Sequence, residues 1–246
     1  LVRDRIGEKP LYFGWQGFGS SKVFLFGSEL KSLKKHPLFN KEINRNAIAL
    51  LLSHNCIPDP YSIYKNIYKL LPGHYLQLNE NDLKNSFSPL PKLYWSLTKS
   101  AINGKNDLLK LNETEICEDF EKNLKFSVKQ RMISDVPLGS FLSGGTDSSV
   151  ITALMQSQSI SPIKTFSIGF EEDHYNEAKY SKNVAKFLGT DHTELYFSSK
   201  KALEIIPDLP TIYDEPFADN SQIPSVILSR LAKNKVKVAL TGDGGD

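Results

Sequence analysis

Residues 11–30 hold two short apolar runs, LYFGW and KVFLFG, joined by the turn-forming QGFGSS, and this arrangement predicts a β-hairpin. Asn44 precedes a stretch in which Ile48, Leu51 and Leu52 share one helical face, and Pro58, Asp59 and Pro60 close that region. HYLQLN follows Pro72 and Gly73 and reads as a further strand. The aromatic pair Tyr94 and Trp95 ends this half. From Ser96 to Asn112 the chain turns polar, with Asn103, Gly104 and Asn106 close together, which predicts a boundary between two domains, 1–99 and 100–246.

The second half changes rhythm. Asn112 and Glu115 have the spacing of a capping box, and Ile116, Phe120, Leu124 and Val128 recur every four residues, as one buried helix face requires. Then come a strand (PLGSFL), a glycine-rich turn and a helix striped by Val150, Ile151, Leu154 and Met155. Strand (KTFSIGF), helix (EAKYSKNVAKFLG), strand (TELYF), helix (SVILSRLAK) and strand (VKVALT) follow in alternation. Such alternation predicts an α/β unit, a doubly wound parallel sheet with helices on both faces. The whole chain therefore reads as two partial domains, α/β and α+β. It opens in a strand with Leu1 and stops inside a glycine-rich run, so both ends are expected to be breaks in a longer protein.

Composition narrows the function classes. With 40% hydrophobic and 24% charged residues the chain can bury a core. Thirty basic against 28 acidic residues leave a formal charge of +2, too little for a nucleic-acid footprint, so no nucleic-acid partner is expected. Lys233, Lys235 and Lys237 read as a solvated helix end and strand face. No apolar stretch approaches the roughly 20 residues that cross a bilayer, and no membrane association and a cytoplasmic location are expected. Cys56 and Cys117 share no metal-ligand or redox spacing. Cys117 is expected to be a small buried hydrophobe on a helix, and Cys56, in the turn-rich SHNCIPDP, an inert residue.

The chemistry concentrates in Ser143-Gly144-Gly145-Thr146-Asp147-Ser148-Ser149, between an apolar strand and an amphipathic helix. Ligands of open α/β sheets bind beyond the carboxyl ends of the strands. Two glycines let backbone N–H groups converge, the helix aims its positive end at the same spot, and three serines add hydroxyls: an anion cradle suited to a diphosphate. Asp147 would repel a phosphate unless a cation lay between them, which implies Mg²⁺. The plainer alternative is a turn whose Asp147 is stabilised by the helix dipole. The cradle lacks the lysine of a GxxxxGK[ST] loop, which disfavours γ-phosphoryl transfer. Thr241-Gly242-Asp243-Gly244-Gly245-Asp246 follows another buried-looking strand, and Asp147 with Asp246 forms a possible metal pair. Glu171, Glu172 and Asp173 read as a solvated loop, and His174 and His192 as surface or capping residues.

SGGTDSS resembles the pyrophosphate-binding loop of the N-type ATP pyrophosphatases. The ordered set FLSGGTDSS, TFSIGF, DEPFADNSQIP and ALTGDGGD is similar to the synthetase domain of glutamine-dependent asparagine synthetases. RDRIGEKPLYFGW, FGSELKSLKKHP and KLLPGHYLQL look like the closing segments of that family's Ntn-type glutaminase sandwich, without its N-terminal cysteine nucleophile. The resemblance implies ATP, aspartate and glutamine or ammonia as ligands, Mg²⁺ as cofactor, and a homodimer as a possible assembly. Ser143, Gly144, Gly145, Asp147, Ser148 and Ser149 would hold the pyrophosphate, and Asp147 and Asp246 the Mg²⁺. Leu142 and Ile168 would flank the adenine, and Thr241, Gly242 and Asp243 would lie near the ribose and the acyl-adenylate. Thr146 stands where many relatives carry an apolar residue, at a position that offers mainly backbone.

Asp214, Glu215, Asp219 and Ser221 precede the last helix, where an aspartate substrate would be met; acids in such a proline-flanked loop are otherwise simply solvated. The activity so implied is amidation of aspartate through an acyl-adenylate, with the fragment alone expected to lack glutaminase activity and to have feeble ligase activity at best. Alternatives are another adenylating amidotransferase with the same loop, of the β-lactam-forming or polysaccharide-cluster kind, and a non-catalytic nucleotide-binding relative.

Overall fold

The computed structural model describes residues 1–170 and 178–244. Along the first part run β1 (Tyr12–Gln16), β2 (Val23–Gly27), α1 (Leu30–Leu33), α2 (Arg45–His54), β3 (Tyr68–Lys69), β4 (His74–Tyr75), α3 (Glu80–Lys84), β5 (Lys92–Leu93) and α4 (Leu97–Asn106). Along the second run α5 (Glu113–Arg131), β6 (Leu138–Phe141), α6 (Thr146–Gln156), β7 (Lys164–Phe170), α7 (Ala178–Leu188), β8 (Asp191–Phe197), α8 (Ser199–Leu203), α9 (Leu209–Ile212), α10 (Gln222–Lys233) and β9 (Val238–Leu240). Backbone contacts divide them into two compact units, one of residues 1–109 with 208–219, the other of 110–207 with 220–246.

In the first unit the predicted hairpin forms, with Tyr12 opposite Gly27 and Gln16 opposite Val23, and β3 adds to the other edge of β1. Asn44 caps α2, its side chain accepting from the Asn46 N–H. Of the run HYLQLN only His74–Tyr75 pairs, with β5, so the expected strand is shorter than its alternation suggests. Tyr12, Leu30, Leu33, Phe39, Ala47, Ile57, Ile63 and Ile67 pack into one core.

Two acids of segment 208–219, Asp214 and Glu215, tie it into this unit. Asp214 accepts from the N–H groups of Leu30 and Lys31, at 2.7 and 3.0 Å, which satisfies orphan donors in the first turn of α1. Glu215 accepts from the Ile63 N–H at 2.7 Å and pairs with Lys69 at 2.7 Å, both side chains nearly buried. The Tyr12 hydroxyl donates to Glu215 at 3.4 Å. Burial first, then the charges of Glu215 and Asp214, push the Tyr12 hydroxyl far above its usual range and keep it a donor. These acids are therefore built into the unit, not solvated, and they border a cavity of about 330 Å³ with Lys31, Cys56 and Phe217.

The second unit carries a four-stranded sheet in the order β8-β7-β6-β9, every neighbouring pair parallel. Its side chains alternate between two packed faces. Leu138 and Leu240 meet Val128, Leu154, Met155 and Ile163 on the side of α5 and α6. Phe166 and Phe141 meet Ala232, Val236 and Leu228 on the side of α10. Helices thus cover both faces, as a parallel sheet requires. On the α6 side the hydroxyls of Ser140 and Thr152, both fully buried, bond each other at 3.0 Å.

Two expectations for α5 are corrected. Its capping box forms, with Asn112 and Glu115 bonding each other's backbone N–H, but only the C-terminal part of the apolar face is buried. Val128 is 3% exposed, whereas Ile116 and Phe120 are 42% and 66% exposed, because α6 meets the helix near its end. Cys117, one residue beyond Ile116, is consequently exposed rather than buried, and Cys56 is exposed as well. Among the described residues no helix is long and apolar enough to cross a membrane.

Candidate functional site

The parallel pairing of β6 and β9, with Ser140 beside Leu240, carries the SGGTDSS and TGDGGD bends to neighbouring strand tips. They touch there. A Cβ placed on Gly242 would fall 2.5 Å from the Ser148 nitrogen and 2.8 Å from the Asp147 carbonyl carbon, so only a glycine lets the second bend lie against the first turn of α6. Gly144 makes the turn out of β6 with φ +87°, and a side chain there would strike the Ser181 nitrogen at 2.6 Å at the start of α7. Gly145 is the N-cap of α6 and is extended, with φ −73°.

Between the two bends opens a cavity of about 740 Å³. Its wall brings together Leu142, Ser143, Gly145, Asp147, Ser148, Ser167, Ile168, Thr241, Gly242 and Asp243, with Pro224, Ser225 and Leu228 contributed by α10. Pro224 sits in the first turn of α10, where a missing N–H costs no helical bond. The wall includes neither Gly144 nor Ser149. Asp246, Gly245 and the acids Glu171, Glu172 and Asp173, like His174, lie outside the described residues. Asp219 falls in the segment that belongs to the first unit, and Ser221 is the N-cap of α10; the cavity wall includes neither.

The hydroxyls divide into two roles that the sequence did not separate. Ser148 is 8% exposed and its oxygen is used within the loop: it accepts from the Ser143 N–H at 3.2 Å, lies 2.9 Å from the Ser143 hydroxyl and 3.3 Å from the Gly145 carbonyl. The Gly145 N–H in turn donates to the Ser143 hydroxyl at 3.3 Å. Ser143 and Ser148 therefore brace the bend. Ser149 differs: its hydroxyl oxygen is buried and bonds to no protein group. An unsatisfied buried hydroxyl costs about 1–3 kcal/mol. The N–H groups of Thr146, Asp147 and Ser148, in the first turn of α6, have no intrahelical acceptor, so they add to the pull on an anion. At the opposite bend the Asp243 N–H donates to the Thr241 hydroxyl at 3.1 Å.

His192 corrects its expected place at the surface. It lies in β8 with its side chain 11% exposed, Nδ1 2.9 Å from the Thr165 hydroxyl and Nε2 3.2 Å from the hydroxyl of Ser167, a wall residue. Burial lowers its pKa, Glu194 at 3.5 Å opposes that, and the more distant charge of Lys182 adds to the lowering. No local signal marks it, because both partners are supplied by β7, some 25 residues away.

The residues are compatible with a bound Mg²⁺. This ion keeps several waters and takes only one or two carboxylates besides phosphate oxygens, and Asp147 and Asp243 both stand on the cavity wall. Among the described residues no group of three or more metal-ligating side chains gathers.

The comparisons with known proteins fall on the same two parts of the chain. Residues 119–246 match the model of the asparagine synthase family, and residues 1–95 that of a glutamine amidotransferase domain. Over 99% of its length the chain is 40% identical to a protein of Methanocaldococcus jannaschii provisionally named glutamine-hydrolyzing asparagine synthetase 2, of which it covers 45%. Over its whole length it is 32% identical to glutamine-hydrolyzing asparagine synthetase 1 of Bacillus subtilis, of which it covers 36%. The chain thus spans less than half the length of these curated relatives. With two glycine bends meeting over a parallel sheet, and a family model matched across that whole region, the chain belongs to the asparagine synthase family.

Proposed function

We propose that this chain carries the nucleotide-binding core of an enzyme that converts aspartate to asparagine with ATP, using ammonia released from glutamine. The observation that carries the reading is the contact of the two bends, Gly242 against Asp147 and Ser148, around one cavity. The second unit is then an N-type ATP pyrophosphatase core, and the first the closing part of an Ntn-type glutaminase sandwich. The functional boundary falls near residue 100, with 1–99 serving glutamine and 100–246 serving ATP.

In this reading the triphosphate lies along the first turn of α6. The N–H groups of Thr146, Asp147 and Ser148 and the Ser149 hydroxyl hold its β- and γ-phosphates, while Ser143, Gly144, Gly145 and Ser148 shape the bend. The apolar side chains of Leu142 and Ile168 take the adenine, and Thr241, Gly242 and Asp243 face the ribose and the α-phosphate. Asp147, with Asp243 or Asp246, holds Mg²⁺, which when bound neutralises phosphate charge. An aspartate side-chain carboxylate oxygen attacks the α-phosphorus, the bond to the bridging oxygen breaks, and pyrophosphate leaves. The donors at α6 act where negative charge grows on that leaving group, the position at which preorganised hydrogen bonds lower a barrier most. Ammonia then attacks the acyl carbon of β-aspartyl-AMP, loses a proton and expels AMP.

Asp219 and Ser221 are the proposed contacts of the acid substrate. The enzyme acts in the cytoplasm on small molecules, and a homodimer is the expected assembly. The test supplies the intact protein with ATP, glutamine and a panel of acids and follows AMP. Aspartate-dependent AMP and asparagine are expected. AMP formed only with a different acid would assign the site to another adenylating amidotransferase, and no AMP with any acid would leave a nucleotide-binding protein without ligase activity.

A further inference from the structure

Segment 208–219 interrupts the second unit, whose chain runs to residue 207 and resumes at 220. The segment is built into the first unit by a series of polar anchors. Lys31 Nζ donates to the Ile212 carbonyl at 2.9 Å, and the Ala218 N–H donates to the Asn55 carbonyl at 2.7 Å. Between them Asp214 takes the N–H groups of Leu30 and Lys31, and Glu215 takes the Ile63 N–H and pairs with Lys69. Pro216 fixes φ directly after Glu215 and stiffens the run from these acids to Ala218.

Beyond the last anchor the chain has little slack. Asp219, Asn220 and Ser221 alone separate Ala218 from Gln222, the first residue of α10. Fully extended, that stretch spans about 14 Å, at roughly 3.6 Å per residue. The later turns of α10 are held to the sheet, where Leu228, Leu231 and Ala232 pack with Phe141, Phe166 and Val236. Pro224 and Ser225, which stand in the wall of the nucleotide cavity, precede that packing. The place of the helix start is therefore set from two sides, by the sheet and by the short link to the anchored segment.

We propose that Asp214 and Glu215 are positioning residues for the nucleotide cavity: by fixing segment 208–219 in the first unit they set the start of α10, and with it the Pro224 and Ser225 part of the wall. The inference rests on the nucleotide reading above and adds to it an energetic coupling between the two units. The cavity wall includes neither acid, so their action runs through the backbone. Coupling of this kind is reciprocal. If the anchor sets the wall, a nucleotide that binds the wall must in turn hold the anchor closed.

Amide hydrogen exchange on the full chain tests this without a variant. The N–H groups of Leu30, Lys31 and Ile63 are bonded to the two acids and exchange when the anchor opens. Saturating Mg-ATP is expected to slow them at least about fivefold, the lower end of ordinary coupling between sites. The Leu76 N–H, which donates to the Leu1 carbonyl in the same unit, is expected to keep its rate. Unchanged rates at Leu30, Lys31 and Ile63 overturn the proposal, and so does equal slowing at Leu76, which marks general stiffening of the unit. A second measurement inserts Gly-Ser-Gly-Ser between Asp219 and Asn220, which keeps the anchoring residues and lengthens the link. The insertion is expected to abolish the slowing and to weaken Mg-ATP binding at least about fivefold; either wild-type affinity or retained slowing overturns the proposal. Failure of the wild-type chain to bind Mg-ATP would instead remove the nucleotide reading itself.

Discussion

Gly242→Ala is the substitution in which geometry most directly forecasts a functional loss. The added Cβ would stand 2.5 Å from the Ser148 nitrogen, about 0.9 Å inside the distance at which ordinary van der Waals contact begins, and also 2.9 Å from the Ser148 Cα. All three of its nearest neighbours are backbone, so no flexible side chain can swing away. Either the first turn of α6 or the TGDGGD bend must move by close to 1 Å. Overpacking of this kind costs about 1–3 kcal/mol, and a displacement of about 1 Å in a positioning element can cost on the order of a hundredfold in function. Calorimetric titration with Mg-ATP should show affinity falling at least about tenfold, with a lower thermal midpoint. Gly104→Ala is the control: it lies in α4 with open space around it, and should gain about 0.5–1 kcal/mol of stability and bind as the wild type does. Wild-type affinity in Gly242→Ala would refute the idea that the two bends close on one ligand.

Three further outcomes are expected. Lys69→Met leaves the nearly buried Glu215 without its cation and should destabilise the first unit by about 3–5 kcal/mol in urea unfolding, whereas an exposed pair such as Lys84 with Glu80 should cost less than about 1 kcal/mol when broken. His192 has a folded pKa below its ordinary value, so the unfolded chain binds its proton first as the pH falls. Its contribution is full above about pH 6.5, the unfolded value, and is lost below that toward the folded pKa. His192→Gln should flatten that part of a thermal-stability profile taken between pH 7.5 and 5. Finally, an excess of a thiol reagent on the native chain should label both Cys56 and Cys117, and protection of Cys117 would contradict its exposure on α5.

What the sequence disclosed depended on how local each determinant is. The two bends were legible because glycine pairs after apolar strands are rare and each carries its acid within the same few residues. Their contact follows from the pairing of β6 with β9, a strand order that strand–helix alternation alone does not fix. The apolar stripe of α5 was read correctly as a face, but periodicity says which residues share a side and not what covers it, hence the exposed Ile116, Phe120 and Cys117. The division of labour among Ser143, Ser148 and Ser149 was hidden because it depends on rotamers within one turn. His192 was missed because its partners belong to another strand. Asp214 and Glu215 were misjudged as solvated because the N–H groups they satisfy, on Leu30, Lys31 and Ile63, lie more than 150 residues away.

The central claim is that the SGGTDSS and TGDGGD bends grip a single Mg²⁺-bound triphosphate. A crystal structure of the chain with Mg²⁺ and the α,β-methylene analogue of ATP tests it most directly. The account predicts the β- and γ-phosphates on the N–H groups of Thr146, Asp147 and Ser148, the Ser149 hydroxyl bonded to a phosphate oxygen, and the base between Leu142 and Ile168. Phosphates bound away from the first turn of α6, or a nucleotide that touches only one of the two bends, would contradict it.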